Sequence, residues 1–250
     1  MKRFNKYSSI FMIFLLISII NYIPVLALHT DKEIKTVYLT FEDGPSANIT
    51  NKIINTLNEN DVKATFFVVG DSANIYSYII KTLRKSNMCI MPHCNIHDYS
   101  YLYKSEENYF NDLDKCKKTI ESITGEGNLS FIKLLECPNN SQNKKEVLSR
   151  IQQKIISNGE YYIGHTIAIG DEKSKDISSE FVNSKLRDEA GLNKVEVVLM
   201  HDCSNQTIIA ETLKDVINYY KEKGYIFKTL NEMDSWEINY LKENKVLNKE

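Results

Sequence analysis

Short runs of β-branched and aromatic residues alternate with longer amphipathic stretches along most of this 250-residue chain. The apolar runs cover residues 36–41, 64–69, 88–91, 131–135, 161–167, 195–200 and 225–230. Helical periodicity lies between them, over residues 48–58, 72–85, 106–123, 144–156, 178–189 and 207–223. Strands that alternate with helices pair in parallel and are covered by those helices. The pattern predicts a single α/β domain with a closed or nearly closed barrel of about seven parallel strands, and a doubly wound open sheet is the alternative.

The N-terminus differs from the rest of the chain. Three basic residues, Lys2, Arg3 and Lys6, precede an apolar run over residues 10–20, and residues 25–27 resemble a small-residue cleavage site. This order predicts a secretory signal peptide over residues 1–27, with a retained membrane anchor as the alternative. A polar linker follows over residues 28–34. We therefore expect an exported protein, either secreted or anchored at the outer face of the cytoplasmic membrane.

The composition narrows the range of partners. A formal net charge of −2 with interspersed acids and lysines gives no reason to expect a nucleic acid partner. We expect a monomer that meets a membrane only through its N-terminal segment. The odd number of cysteines and the lack of a C-x-x-C pair argue against a disulfide framework and a thiolate zinc cluster. The five cysteines are Cys89, Cys94, Cys116, Cys137 and Cys203.

Polar residues collect where the predicted strands end. Four of the five histidines lie at or just after such ends, namely His93, His97, His165 and His201. The acidic pair Glu42-Asp43 directly follows the first run. Because the carboxyl ends of parallel strands meet at one side of an α/β fold, we expect these groups to share one mouth. The alternative for any single histidine is an ordinary hydrogen-bonded side chain.

The spacing of His93 and His97 suits a metal ion, because two imidazoles four residues apart can face one cation from a helical turn or a tight loop. A carboxylate from another strand end completes a set that leaves coordination positions free for water and substrate. Gly44-Pro45 predicts a turn that lets one of the two preceding acids reach the metal while the other addresses the attacking water. His201 followed by Asp202 indicates a proton donor with a carboxylate nearby, or else the start of a helix capped by Asp202.

Taken together, these pieces resemble the polysaccharide deacetylase family, or NodB-homology domain, over roughly residues 35–233. The family motif Thr-Phe-Asp-Asp-Gly-Pro resembles residues 40–45, and its His-Ser/Thr-x-x-His motif resembles residues 93–97. Its Leu-x-His motif resembles residues 199–201. Residues 234–250 then form a polar C-terminal tail, which we expect to be a loose terminal helix.

The resemblance implies a distorted (β/α) barrel, usually of seven strands. It also implies hydrolysis of N-acetyl, or sometimes O-acetyl, groups on a polysaccharide such as peptidoglycan. One divalent metal ion is implied at Asp43, His93 and His97, with Glu42 as general base and His201 as general acid. We expect zinc, with cobalt or another transition metal as alternatives.

The resemblance weakens around the metal site. Glu42 stands where the family has Asp, and the extra methylene displaces the carboxylate; a catalytic group misplaced by about 1 Å can cost on the order of a hundredfold in rate. The third motif, Arg-x-Pro-x-Gly, is matched to residues 136–140, which puts an acid where the family has the arginine that orients the base. The fourth motif, Asp with a neighbouring Trp, is not recognisable. Leu199, Pro138 and Asn139 are expected to contact substrate, and Glu136, Asp202 and His165 to support the site.

Three functions fit this pattern. The first is a working metal-dependent deacetylase of envelope glycans. The second is a barrel that binds glycan or metal without hydrolysis, and the third is an amidohydrolase with a different substrate. A Glu42 carboxylate within reach of the attacking water would favour an enzyme. A Glu42 turned away, or paired with Lys133, would favour the binding module.

Overall fold

The computed structural model describes residues 34–135, 142–170 and 178–249. The predicted signal peptide, Glu136, Pro138 and Asn139 therefore lie outside the described residues. The strands within them are β1 (Lys35–Glu42), β2 (Thr65–Val69), β3 (Cys89–Cys94), β4 (Phe131–Ile132), β5 (Tyr161–Tyr162), β6 (Ile167–Ala168), β7 (Val195–His201) and β8 (Tyr225–Phe227).

The helices lie between and after these strands. They are α1 (Thr50–Glu59), α2 (Gly70–Ile75), α3 (Ser77–Lys85), α4 (Tyr99–Leu102), α5 (Glu106–Thr124), α6 (Gln142–Ser157), α7 (Ser179–Glu189), α8 (Thr207–Glu222) and α9 (Ser235–Glu243), with a 3₁₀ turn over Leu230–Glu232. Across the described ranges, no helix combines the length and the apolar character needed to cross a membrane.

The strands form a distorted parallel barrel, as predicted. The main sheet has the order β3-β2-β1-β7-β6, and β8 pairs with the first residues of β1 while β2 pairs with its last. A second ladder joins β4 to β5. Lys133 N donates to Pro92 O at 3.4 Å and so links the end of β3 to β4. β5 and β6 are successive parts of one run of the chain. The order of strands around the barrel therefore continues from β5 to β6, and β6 pairs with β7, which pairs with β1.

Strand β1 is the centre of the core. Val37, Leu39 and Phe41 are fully buried on one face, and Tyr38 is fully buried on the other. A strand buried on both faces is typical of a parallel sheet covered by helices, and it explains why this run is almost continuously apolar. The carboxyl end of β1 therefore emerges from a rigid centre, which fixes the backbone of Glu42 and the residues that follow.

Two predicted elements are divided in the structure. The run over residues 161–167 forms both β5 and β6, separated by a bridge at Ile163. The predicted helix over residues 72–85 is broken at Tyr76, whose ψ of 41° leaves the helical region. The Tyr76 carbonyl then accepts hydrogen bonds from the N–H groups of Ile79 and Ile80, which starts α3.

The C-terminal segment is not loose. Leu241 and Leu247 are fully buried, and a capping box between Asp234 and Glu237 starts α9. Beyond the helix the chain enters the gap between β5 and β6, where Ile163 bridges Leu247 in an antiparallel sense. Gly164 N donates to Val246 O at 2.7 Å, and Asn248 N donates to Tyr162 O at 2.9 Å. The sequence of α9 looks polar because most of its residues are at least partly exposed to solvent, but Leu241 on its inner face is buried and Leu247 beyond it pairs with the barrel.

Candidate active site

A cavity of about 310 Å³ opens at the carboxyl ends of the strands. Glu42 ends β1, His201 ends β7, and His93 lies near the end of β3, so the parallel topology brings them together. The predicted groups that line the cavity are Glu42, Asp43, His93, His97, His165, Leu199 and His201. All four histidines that the sequence placed at strand ends therefore share this mouth with the acidic pair.

Asp43, His93 and His97 form a compact ligand set. Asp43 Oδ1 lies 3.2 Å from His93 Nε2 and 3.2 Å from His97 Nε2. One donor atom from each of the three residues falls within 4.8 Å of the others. Asp43 adopts a left-handed backbone (φ 69°) in the turn after β1, which directs its side chain differently from that of Glu42. Two nitrogens and one carboxylate oxygen are ligands that suit a divalent transition metal.

The hydrogen bond behind His93 shows that this set fits a cation. His93 Nδ1 lies 2.8 Å from the carbonyl oxygen of Lys133, which can only accept, so Nδ1 carries the proton. In the neutral ring Nε2 is then a lone pair, and it faces the Asp43 carboxylate at 3.2 Å. A nitrogen lone pair and a carboxylate oxygen at this distance repel each other unless a cation lies between them or a proton sits on one of them. Such a hydrogen bond to the far ring nitrogen is the usual arrangement for a metal-ligating histidine.

The backbone around the two histidines is held by a bulge and by a buried acid. Val68 pairs with Pro92 and Val69 with Cys94, so His93 is the extra residue of a β-bulge, a feature that re-aims side chains near active sites. Asp112 on α5 accepts from Asn95 N at 2.6 Å and from Ile96 N at 3.1 Å. This carboxylate fixes the segment between the ligands, although Asp112 is not among the site residues predicted from the sequence.

Glu42 and His201 are neighbours across the β1–β7 ladder, which pairs them directly. Paired positions on neighbouring parallel strands point to the same face, so both side chains border the cavity. His201 Nε2 lies 3.9 Å from Asp43 Oδ2. Its Nδ1 is buried and has no hydrogen-bond partner among the residues that the structure describes. Leu199, two residues before His201, lies on the same face and lines the same wall.

The cation beside Glu42 is Lys133. Lys133 Nζ lies 2.9 Å from Glu42 Oε1, and both side chains are buried. The third motif puts Glu136 in the position of the family's arginine, whereas the cation beside Glu42 lies three residues earlier in the chain. The same pair was the feature expected to favour a binding module. However, Glu42 still lines the cavity while it is paired, so the pairing does not remove it from the mouth.

Asp202 does not support His201 in the expected way. Its Oδ2 accepts from Thr50 Oγ1 at 2.6 Å, and its backbone carbonyl accepts from Ser46 Oγ at 2.6 Å. A Cβ atom on Gly44 would lie 2.1 Å from Asp202 Oδ2, so the turn after β1 packs directly on this carboxylate. Nor does Asp202 cap a helix, because α8 starts later, after Gln206. Burial, together with the charge of Asp43, raises the pKa of Asp202 to about 7.

Cys94 is not one of the candidate metal ligands. Cys94 lies between the two histidine ligands in sequence, but its side chain is buried, and burial raises its pKa well above the usual range. Within the described ranges, the metal-binding cluster contains no cysteine. This agrees with Cys94 serving as a small side chain between two ligands.

Comparisons with known proteins agree with this architecture. The model of the polysaccharide deacetylase family matches residues 29–154. The chain is 28% identical over 218 residues to a peptidoglycan-N-acetylglucosamine deacetylase of Bacillus cereus, covering 86% of this chain and 76% of that protein. It is 29% identical over 203 residues to a putative polysaccharide deacetylase of Bacillus subtilis, covering 79% and 68%. The crystal structure of the catalytic domain of a peptidoglycan N-acetylglucosamine deacetylase from Eubacterium rectale superposes with a TM-score of 0.71 at 28% identity, covering 78% of this chain and 88% of that domain.

Proposed function

The chain belongs to the polysaccharide deacetylase family, and on that basis we propose that it hydrolyses N-acetyl groups on a cell-envelope polysaccharide. The observation that carries this proposal is the placement of Glu42 and His201 side by side, next to a ligand set of one carboxylate and two imidazoles. The names of the relatives in Bacillus cereus and Eubacterium rectale support peptidoglycan as the polymer. Their activity also supports export, because that substrate lies outside the cytoplasmic membrane.

Asp43, His93 and His97 would hold the metal, for which zinc is the expected ion. When bound there, a divalent metal acts as a Lewis acid that activates water and polarises the acetyl carbonyl. The protein's own residues supply the rest. The hydrogen bond from His93 Nδ1 to the Lys133 carbonyl keeps Nε2 free to ligate. The bonds from Asn95 and Ile96 to Asp112 hold the intervening backbone in place.

Glu42 is the proposed general base, and it accepts the proton of the attacking water. Lys133 holds the Glu42 carboxylate and offsets the cost of burying its charge. The resemblance assigns the orientation of the base to an arginine, and we propose that Lys133 takes that role here. The lysine ammonium is a compact point charge, whereas the planar fork of an arginine can bind a carboxylate through two hydrogen bonds. Here the lysine faces the longer Glu42 side chain in place of the usual Asp.

His201 is the proposed general acid, and it protonates the amine as the carbon–nitrogen bond breaks. It lies on β7, the strand next to that of Glu42, so the proton acceptor and the proton donor can both reach the reacting carbon. Leu199 presents an apolar surface for the acetyl methyl group. The Glu42–Lys133 ion pair equally supports a second candidate, a barrel that binds glycan without cleaving it, in which the pair locks Glu42 away from water.

Acetate release from N-acetylglucosamine oligomers and from peptidoglycan separates the two candidates. We expect the zinc-loaded protein to release acetate, and we expect Asp43→Ala and Glu42→Gln to abolish the release. Glu42→Gln is the sharper control, because it keeps the ligand set and removes only the base. If the wild-type protein binds zinc and glycan but releases no acetate from either substrate, the binding module is the correct function.

A further inference from the structure

Helix α7 brings an aromatic and a basic side chain to the wall of the active-site cavity. Phe181 and Lys185 both line it together with Asp43 and His201. The helix is capped by Ser178, whose Oγ accepts a hydrogen bond from Phe181 N at 3.1 Å, so Phe181 lies in the first turn. Residues four apart share one face of a helix, so Lys185 extends the same wall by one turn. Neither residue belongs to any of the sequence motifs.

Phe181 gives the cavity an aromatic surface on this side. The fourth motif, which places a Trp beside an Asp, is not recognisable in this chain, and the only tryptophan in the sequence is Trp236. In the structure Trp236 packs partly buried against the core. Phe181 is only partly buried, so part of its ring remains available to a ligand. The C–H face of a sugar ring packs well on such an aromatic surface.

Lys185 is held loosely in place. Its Nζ lies 5.8 Å from the centre of the Phe181 ring and 2.6 Å from Glu189 Oε1. The side chain of Glu189 is 51% exposed, and exposed pairs one helical turn apart contribute little stability. An anion on a bound ligand can therefore replace Glu189 as the partner of Lys185 with little cost.

The charges around the cavity leave Lys185 with a distinct role. Of the acids on the wall, Glu42 is paired with Lys133, and Asp43 faces the two histidines of the ligand set. Among the lining residues that the structure describes, Lys185 is the one lysine or arginine. A neutral N-acetylated glycan has no charged group for it to meet. A glycan that carries a carboxylate does.

We propose that Phe181 packs against a sugar ring and that Lys185 pairs with a carboxylate of the glycan, so that the site selects an acidic N-acetylated polysaccharide over a neutral one. This inference rests on the proposed function, because it concerns the substrate of the same cavity. The expected anion is a carboxylate on a sugar next to the acetylated residue, as in the lactyl ether groups of peptidoglycan strands that carry no peptide.

A matched pair of ligands tests the charge alone. One ligand is a peptide-free fragment of peptidoglycan glycan with free lactyl carboxylates, and the other is the same fragment with those carboxylates methylated. Affinity for both is measured by titration calorimetry with zinc-loaded wild-type protein and with Lys185→Met, Lys185→Arg, Glu189→Gln and Lys214→Met. Lys214 is exposed on α8 and serves as the control for loss of a surface lysine. Acetate release from both ligands is recorded in parallel.

We expect the wild type to prefer the free carboxylate, and Lys185→Met to lower that preference about tenfold, as for the loss of one charge-assisted hydrogen bond. Lys185→Arg should retain most of it, Glu189→Gln should raise it about twofold, and Lys214→Met should leave it unchanged. Equal affinity of the wild type for both ligands, or a preference that survives Lys185→Met, would overturn the inference even if acetate is released. Charge-dependent binding without acetate release would instead overturn the proposed function and leave the inference standing for a binding site.

Discussion

Lys133 Nζ lies 2.9 Å from Glu42 Oε1, and neither side chain is more than a few per cent exposed. A buried carboxylate that loses its paired cation keeps its desolvation cost without that compensation. The pair therefore links the stability of the barrel to the geometry of the proposed base, and the two effects can be measured separately.

The first prediction concerns this pair. Lys133→Met should lower the free energy of unfolding by about 3–5 kcal/mol, because it leaves Glu42 buried and unpaired, and it should lower acetate release at least tenfold by freeing the base. Urea denaturation and acetate assays report the two effects. Adding Glu42→Gln to Lys133→Met should recover much of the stability but none of the activity. If Lys133→Met alone is as stable as the wild type, the ion pair is not an important stabilising contact.

The second prediction concerns the metal. At a free zinc concentration one hundred times its dissociation constant, binding to the folded state adds about 2.7 kcal/mol of stability. For a domain of this size that corresponds to a rise of roughly 5–10 °C in melting temperature. Asp43→Ala and His93→Ala should abolish the rise, whereas His165→Ala should keep it, because His165 lines the cavity outside the ligand cluster. A rise that persists in Asp43→Ala would place the zinc elsewhere.

The third prediction concerns Asp112, which is buried and accepts two backbone N–H groups between the histidine ligands. Asp112→Ala should weaken zinc affinity about 10–100-fold, as for other residues that hold metal ligands in position. Competition with a chromophoric chelator measures the affinity. Asp114→Ala is the matched control on the same helix, since its side chain is exposed. Equal affinities in the two variants would show that the bulge alone holds the ligands.

The fourth prediction concerns the pH dependence of stability in the metal-free protein. The pKa of Asp202 is about 7 in the folded state and about 3.9 when unfolded, because burial disfavours the charged carboxylate. Its contribution is therefore fully favourable below about pH 4 and is lost as the pH rises to about 7. Relative to Asp202→Asn, the wild type should lose up to about 4 kcal/mol between pH 4 and pH 8. Urea denaturation in EDTA measures this, with exposed Asp215→Asn as the control. A constant difference between the wild type and Asp202→Asn would show that Asp202 does not titrate in this range.

The strands and the convergence of the site could be predicted because both depend on one simple rule. Parallel strands are apolar throughout, and polar groups follow their carboxyl ends. Glu42, Asp43 and the four histidines could therefore be assigned to one site from their positions after the apolar runs. The same rule accounts for the position of Lys133, which follows the buried pair Phe131-Ile132 directly. The proline-containing third motif was matched to Glu136, three residues further along, so Lys133 was considered only as a partner of Glu42 in a binding module.

Asp112 and Lys185 were harder to find, because both lie on helices whose faces are set by packing. Asp112 occupies the apolar stripe of α5 together with Tyr109, Leu113 and Cys116. An acid in such a stripe is a usable signal for a buried acceptor, although its partners are set by tertiary contacts. Whether Lys185 faces the cavity depends on how α7 packs on the barrel, and the periodicity of the sequence does not determine that packing.

The gap between β5 and β6 is filled by residues 246–248, near the end of the chain. Synthesis proceeds from the N-terminus, so these residues are the last of the barrel to leave the ribosome, and in an exported chain the last to cross the membrane. Until they arrive, the backbone of Tyr162 and Gly164 lacks its partners. The seam between β5 and β6 therefore stays open until residues 246–248 have been synthesised, and the barrel closes only then.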